Sequence, residues 1–290
     1  MLYADPRSRG TAGTSAEFPI SVGVHQGSAL SPLLFTLVMD AITNDLQRPA
    51  PWTLLYADDV MLESEQKEDL VRQTQAWSER LARYGVRLNV KKTEYMMTNL
   101  DEPSTIQFDG HDLRRTNYLN YLGSTLSADG NLAHEVVARV NAAWLKWRSM
   151  TGVLCDKNVP DRFKSKVYQA VVRSVALYGA ECWSAVKERE RRLSVMETTM
   201  LRWTAGVTRA DRIRDEKTRE RFGIVPIADK LRETRLRWYG HVLRANEDTA
   251  CKVGLDLEVP RKRPKGRPKQ WWLDTLHADL KHVGVHRPGA

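Results

Sequence analysis

The spacing of apolar residues changes character near the middle of the chain. Residues 1–28 are irregular and rich in Gly, Ser and Thr. In "SPLLFTLVMDAITNDL" Leu33, Leu37 and Ala41 then recur at helical spacing. Ser31 reads as the N-cap, and Pro32 as the first helical residue, where its missing N–H costs nothing. "WTLLY" and "VMLE" are short apolar runs, read as two buried strands joined at Asp58-Asp59. In "EDLVRQTQAWSERLARY", Leu70, Trp77 and Leu81 share a helical face, and Gly85 ends the helix. "VRLNV", "TEYMMT", "TIQFD" and "YLNYLGSTL" are further strand candidates. Strand, helix and strand in that order predict an α+β fold with a split βαβ, ferredoxin-like layout.

Beyond about residue 130 the period becomes helical. Leu132, Val136, Val140 and Trp144 mark one helix; Phe163, Val167, Ala170 and Val175 mark another. "ERRLSVMETTMLRWTAG" and "IADKLRETRLRWYGHVLR" predict two more. "VPRKRPKGRPKQ" carries six basic residues, three prolines and no acid, and reads as a flexible segment. A short helix around "WWLDTLHADL" follows it. Seven of the nine tryptophans lie in this second part: Trp144, Trp147, Trp183, Trp203, Trp238, Trp271 and Trp272. Helical spacing assigns them to core packing ahead of base stacking, with Trp271 and Trp272, beside the basic segment, the least determined.

Composition narrows the class. With 290 residues the chain can build one large or two ordinary domains. A mean hydropathy of -0.49 suits a water-soluble protein. No run of about 18 apolar residues exists, so no membrane partner is expected. "MLYADPRSRGTAG" lacks the apolar centre of a secretory signal. Cys155, Cys182 and Cys251 are odd in number and far apart, offering neither zinc spacing nor a disulfide framework. An intracellular, reducing setting is therefore expected. The net charge of +9 favours a polyanionic partner, although charge alone also fits a basic protein without one.

The chemistry centres on "WTLLYADDVMLES". Successive strand residues point to opposite faces, so Asp58 and Asp59 cannot both project the same way along a continuous strand. A buried carboxylate needs compensation. Mg²⁺ favours a few carboxylates plus substrate phosphates, and two such ions about 4 Å apart support in-line displacement at phosphorus. The simpler reading is a hairpin turn, where Asp is common.

The neighbours decide between them. "GVHQGSALSPLLF" precedes the hairpin, "GVRLNVKKTEYM" follows it, and "YLGSTL" comes later. In this order they resemble the palm of reverse transcriptases from non-LTR retrotransposons, and the resemblance covers most of the chain. "LRWYGHVLR" followed by "GRPKQWWLDTL" is similar to the tail found after the polymerase in such elements. The resemblance implies RNA-directed DNA polymerase chemistry on an RNA template and a DNA primer, with Mg²⁺, or alternatively Mn²⁺, as cofactor. Tyr56, Ala57, Asp58 and Asp59 match the catalytic hairpin, with Asp58 the main metal ligand and Asp59 its support. Gln26, Gly27, Ser31 and Pro32 match the motif facing the template–nucleotide pair; by themselves they mark a Gly turn and a helix cap. His25 reads as a loop residue. Lys92 matches the lysine that assists nucleotide addition, and would otherwise read as a surface lysine. Leu122 and Gly123 match the hairpin that grips the primer end; without that context they mark a strand and a turn.

The family's palm also opens with a strand bearing its own aspartate. The 22 residues before Gly23 hold a single aspartate, Asp5, and its "LYAD" runs into Pro6 and Arg7. The expected organisation is a partial palm over 1–130, a helical thumb and C-terminal region over 131–259, and a basic tail with a short helix over 260–290. The expectation for this chain alone is inactivity. The alternative is a non-catalytic nucleic-acid-binding protein derived from such a polymerase. In the tail, Arg261, Lys262, Arg263, Lys265, Arg267 and Lys269 resemble an AT-hook for A·T-rich DNA. They equally suit a nuclear-import signal, or a phosphate-neutralising tail without sequence preference. A nuclear protein with a cytoplasmic phase is expected.

Overall fold

A computed structural model describes residues 9–10, 13–14, 27–98, 105–184, 186–208, 210–257 and 271–284. The strands are β1 (Arg9–Gly10), β2 (Gly13–Thr14), β3 (Thr53–Tyr56), β4 (Asp59–Leu62), β5 (Glu94–Tyr95), β6 (Gln107–Phe108), β7 (His111–Asp112), β8 (Arg114–Arg115), β9 (Tyr118–Tyr121) and β10 (Ser124–Ser127). The helices are α1 (Ser31–Thr43), α2 (Lys67–Arg83), α3 (Ala133–Ser149), α4 (Thr151–Leu154), α5 (Asp161–Val167), α6 (Ser174–Ala176), α7 (Lys187–Ala205), α8 (Asp215–Phe222), α9 (Ile227–Arg244), α10 (Ala250–Asp256) and α11 (Trp272–His282). The chain is thus mixed α and β, as predicted. Among the described residues, however, the ladders are two-stranded, and no wider ferredoxin-like sheet forms. One reason is local: "VRLNV" is not a strand. Asn89 accepts the Lys92 and Thr93 N–H groups at 3.0 Å each through its carbonyl, so the chain turns where pairing was expected.

Two compact units are present. The first comprises Met1–Thr93 and Ser104–Arg114, the second Glu94–Pro103 and Arg115–Ala290. In the first, Met39 and Ile42 of α1 pack with Leu81 of α2, joined by Phe35, Leu55 and Val86. The expected face of α1 is wrong: Leu33 and Leu37 are 57% and 56% exposed, and Ala41 is exposed too. This helix is apolar almost all round, so periodicity alone does not select a buried side. Packing selects Phe35, Met39 and Ile42, spaced by four and three residues. The helix also starts one residue early, with Leu30 at the cap, Ser31 first and Pro32 second.

The second unit buries Val136, Ala143 and Trp147 of α3 against Leu193 and Met200 of α7 and Leu231 of α9. Each such large apolar side chain contributes about 1.5–3 kcal/mol on leaving water. Between α5 and α6 the chain widens into a π-helical turn, Tyr168–Arg173. Tyr168, Val172 and Arg173 are buried in it, and Ala176 of α6 continues the buried side. The predicted face holds in part: Val167 packs against this core and Val175 is half-buried, whereas Phe163 and Ala170 are exposed. The turn brings Arg173 to Glu197 of α7 at 2.7 Å, both out of water. Glu197 also accepts the Ile227 N–H at 3.1 Å and the Tyr168 hydroxyl at 3.3 Å, tying α9 into the same network. A second buried pair, Arg235–Asp279 at 2.7 Å, fixes α11 to α9.

Candidate active site

Antiparallel strands β3 and β4 pair Thr53 with Leu62, Leu54 with Met61, Leu55 with Val60 and Tyr56 with Asp59. That register leaves Ala57 and Asp58 as a two-residue turn. Ala57 takes φ +52°, the left-handed conformation such tight hairpins demand. Asp58 and Asp59 are both exposed, so water supplies the compensation that a buried position would lack. The strands themselves are half-buried, not fully buried as the apolar runs predicted. Directly opposed residues share a face. Asp59 therefore lies on the side of Tyr56, while Leu55 belongs to the other side and packs against the α1 cluster.

A carboxylate that sequence reasoning missed anchors the base of this hairpin. Arg48, before β3, and Ser64, after β4, both donate to Asp69 of α2 at 2.8 Å. Arg72 and Gln73 donate to the same carboxylate at 2.6 and 2.7 Å. The Ser64 hydroxyl, then Arg72, Gln73 and Arg48, hold the Asp69 carboxyl down at about 2. Acids in a first helical turn are a legible signal, since they suit the positive helix end. Arg80 adds a fork to Asp45 at 2.5 and 2.6 Å and reaches the Ile42 carbonyl at 3.1 Å, fixing α2 to the end of α1.

The other expected residues of this unit divide. Gly27 is exposed with φ +87°, and no atom lies within 4 Å of a Cβ added there. Its conformation, not lack of room, asks for glycine. The chain then turns through the Ser31 N–H to Ser28 carbonyl bond at 3.3 Å into α1, putting Ser31 and Pro32 in its first turn. A cavity of about 300 Å³ opens between α1 and the hairpin, lined by Leu37, Asp40, Gln47, Leu55 and Ala57. Lys92 is exposed at the end of the Asn89 turn. Gln26, His25 and Asp5 lie outside the described residues. So do Arg261, Lys262, Arg263, Lys265, Arg267 and Lys269 of the tail.

In the second unit, β9 and β10 close around Leu122 and Gly123, with φ +48° and +80°. Positive φ at both central residues is the type I′ requirement. The Tyr178 hydroxyl donates to the Leu122 carbonyl at 2.7 Å, and Arg139 donates to the Gly123 carbonyl. Of the tryptophans, Trp147 and Trp183 are buried as expected. Trp203 is 66% exposed, which corrects its assignment to the core, and Trp271, left least determined, is 50% exposed.

Asp58 and Asp59 make no ion pair among the described residues. They offer open, hard oxygen donors of the kind Mg²⁺ takes together with waters and substrate phosphates. The described residues contain no group of three or more His, Cys, Asp or Glu able to hold a metal ion. Two exposed aspartates side by side fit a metal site shared with substrate phosphates. Among the described residues no helix is long and apolar enough to cross a membrane.

Comparison with known proteins places this hairpin inside a recognised segment. Residues 2–126 match the family described as reverse transcriptase (RNA-dependent DNA polymerase). A transposon-derived protein of Caenorhabditis elegans is 23% identical over 239 residues, covering 78% of this chain and 84% of that protein. A protein in a type-1 retrotransposable element of Drosophila melanogaster is 27% identical over 217 residues, 67% of this chain and 20% of its own length. The RNA-directed DNA polymerase from mobile element jockey of Drosophila melanogaster is 25% identical over 281 residues, 87% of this chain. The chain spans 29% of that polymerase, so its similarity reaches only part of the two fly proteins.

Proposed function

We propose, for a chain related to the reverse transcriptases of non-LTR retrotransposons, that the Ala57–Asp58 turn is the metal-binding tip of an RNA-directed DNA polymerase palm. One observation carries this reading. Asp58 stands in a two-residue turn with Asp59 beside it, both open to solvent and both inside the matched segment. Asp58 is the main ligand of Mg²⁺, or of Mn²⁺, and Asp59 supports it. When bound, the metal supplies charge stabilisation for the attacking and leaving oxygens of an in-line displacement.

The chain's own groups do the rest. Gln26, Gly27, Ser31, Pro32 and Tyr56 face the template base and the incoming nucleotide. Lys92, a flexible cation on a fixed turn, assists nucleotide addition. Leu122 and Gly123 grip the primer end, and the helices after residue 130 form a thumb contacting phosphates. Arg261 to Lys269 neutralise phosphates of RNA or DNA without sequence preference and carry nuclear import on the same residues. A second reading, a nucleic-acid-binding protein without polymerase chemistry, draws on the lack of a third clustered carboxylate among the described residues.

Primer extension on an RNA template separates the two. Among the described residues two carboxylates stand at the turn, and the chain as given is expected to extend nothing. Fusing a relative's acidic palm strand to the chain should produce extension. Asp58→Ala should then abolish it, a loss of several kcal/mol at about 1.4 kcal/mol per factor of ten. Extension surviving Asp58→Ala overturns the catalytic role. Primer–template binding with no extension in the completed protein favours the second reading.

A further inference from the structure

We infer that Tyr178, Arg139 and Glu135 are positioning residues that hold the Leu122–Gly123 turn in a backbone conformation its leucine resists, and thereby fix where that turn meets the primer end. The inference rests on the reading of Leu122 and Gly123 as the primer-gripping turn. The contacts that carry it are independent of that reading.

Leu122 sits at φ +48°, where an L-residue brings its Cβ against the neighbouring carbonyl. Asn, Asp and Gly accept this conformation in tight hairpins; leucine takes it only at a steric cost. The chain's own Asp109–Gly110 turn has the suited dipeptide, at φ +48° and +73°, and its carbonyl contact is local, from Asp109 to His111. The Leu122–Gly123 turn is held from a distance. Tyr178, 56 residues away, donates its hydroxyl to the Leu122 carbonyl at 2.7 Å. Arg139 of α3 donates to the Gly123 carbonyl. Both central carbonyls of the turn are therefore captured by side chains from other elements.

The capturing groups are themselves fixed. The Arg139 guanidinium lies 4.7 Å over the Tyr178 ring, and its Nε donates to Glu135 at 2.7 Å. Glu135 is 1% exposed, and its other oxygen accepts the Thr125 N–H at 2.6 Å. One buried carboxylate thus ties strand β10 to the arginine that holds the turn. Gly179, at φ +70°, lets the chain after Tyr178 come so close that an added Cβ would stand 3.3 Å from the Ser124 hydroxyl. A contact that merely covered the hairpin would not need to meet both central residues of the turn at their carbonyls.

Two measurements on the full chain test this. Hydrogen–deuterium exchange over residues 118–127 reports the turn. The affinity ratio for a recessed primer end over a blunt duplex of equal length reports its use. Tyr178→Phe removes one oxygen and keeps the ring. It should speed exchange across the hairpin and lower the primer-end preference by about five- to tenfold, the worth of one net hydrogen bond, with the melting temperature of the helical unit little changed. Adding Leu122→Gly to Tyr178→Phe should return the exchange to its slow rate, because glycine takes positive φ without the clamp. Faster exchange with an unaltered primer-end preference overturns the positioning role. Fast exchange that Leu122→Gly fails to slow overturns it too, since Tyr178 then acts other than by holding the leucine's conformation. A wild-type chain that does not distinguish a primer end overturns both this inference and the reading beneath it.

Discussion

At the scale of single residues, the site is governed by backbone as much as by charge. Ala57 holds φ +52° between Tyr56 and Asp58. For an L-residue this costs roughly 1–2 kcal/mol, and a glycine escapes it. Ala57→Gly is therefore expected to stabilise the first unit by up to about 1 kcal/mol, part of the gain being lost to the freer unfolded chain. Urea denaturation reads this directly, and a destabilised variant would show that the alanine methyl packs favourably in the turn. Asp58 and Asp59 differ in support. Asp59 is paired across the ladder with Tyr56, whereas Asp58 belongs to the turn. The two acids are therefore not interchangeable despite being adjacent.

At the scale of elements, hairpin and helix form one mechanical piece through Asp69. Its carboxyl, held at about 2 by Ser64 first and then by Arg72, Gln73 and Arg48, lies below the ordinary value of 3.8. A depressed carboxylate stabilises the folded chain above the ordinary value and loses that contribution as pH falls through about 2. Asp69→Asn should therefore lower the melting temperature at neutral pH. The gap to wild type should stay constant down to about pH 5 and close between about pH 4 and 2. A gap independent of pH would mean that the carboxylate's charge does not tie the hairpin to α2. Elements of this kind were legible to different degrees. Helix α9 matches its sequence pattern, and both strands of the hairpin lie on their apolar runs, although the turn is Ala57–Asp58 and Asp59 already opens β4. The buried face of α1 was not legible, because a helix apolar on all sides has no preferred stripe. The "VRLNV" segment looked like a strand, but Asn89 closed a turn with its own neighbours. The β6–β7 hairpin was legible in "TIQFD", which gives one strand, and in the Asp109–Gly110 dipeptide that suits its turn. Glu135 and Arg139 stand four apart on α3, a legible pair. Their hold on the Leu122–Gly123 turn depends on tertiary contact and has no local signature.

At the scale of the whole molecule, charge and apolar surface act together. The six basic residues between Arg261 and Lys269 are part of a net charge of +9. Deleting residues 260–270 should flatten the dependence of log affinity on log salt by about 5 for duplex DNA, if all six meet phosphate. A titration with an unchanged slope would remove the tail from the interface. The exposed side of α1 bears on the same titration. Leu33, Leu34, Leu37 and Val38 are each 44–57% exposed on one short helix. Like-charged chains repel at low ionic strength, but the repulsion fades as the Debye length shrinks from about 10 Å at 0.1 M to 3 Å at 1 M. The salt that strips nucleic acid from the protein therefore also removes its protection against sticking to itself. Light scattering of the nucleic-acid-free chain should show particles growing as salt rises, and Leu33→Glu with Leu37→Lys should suppress that growth. Colloidal behaviour of the preparation, and with it the window in which any activity can be sought, is set by a helix that contributes no reacting group.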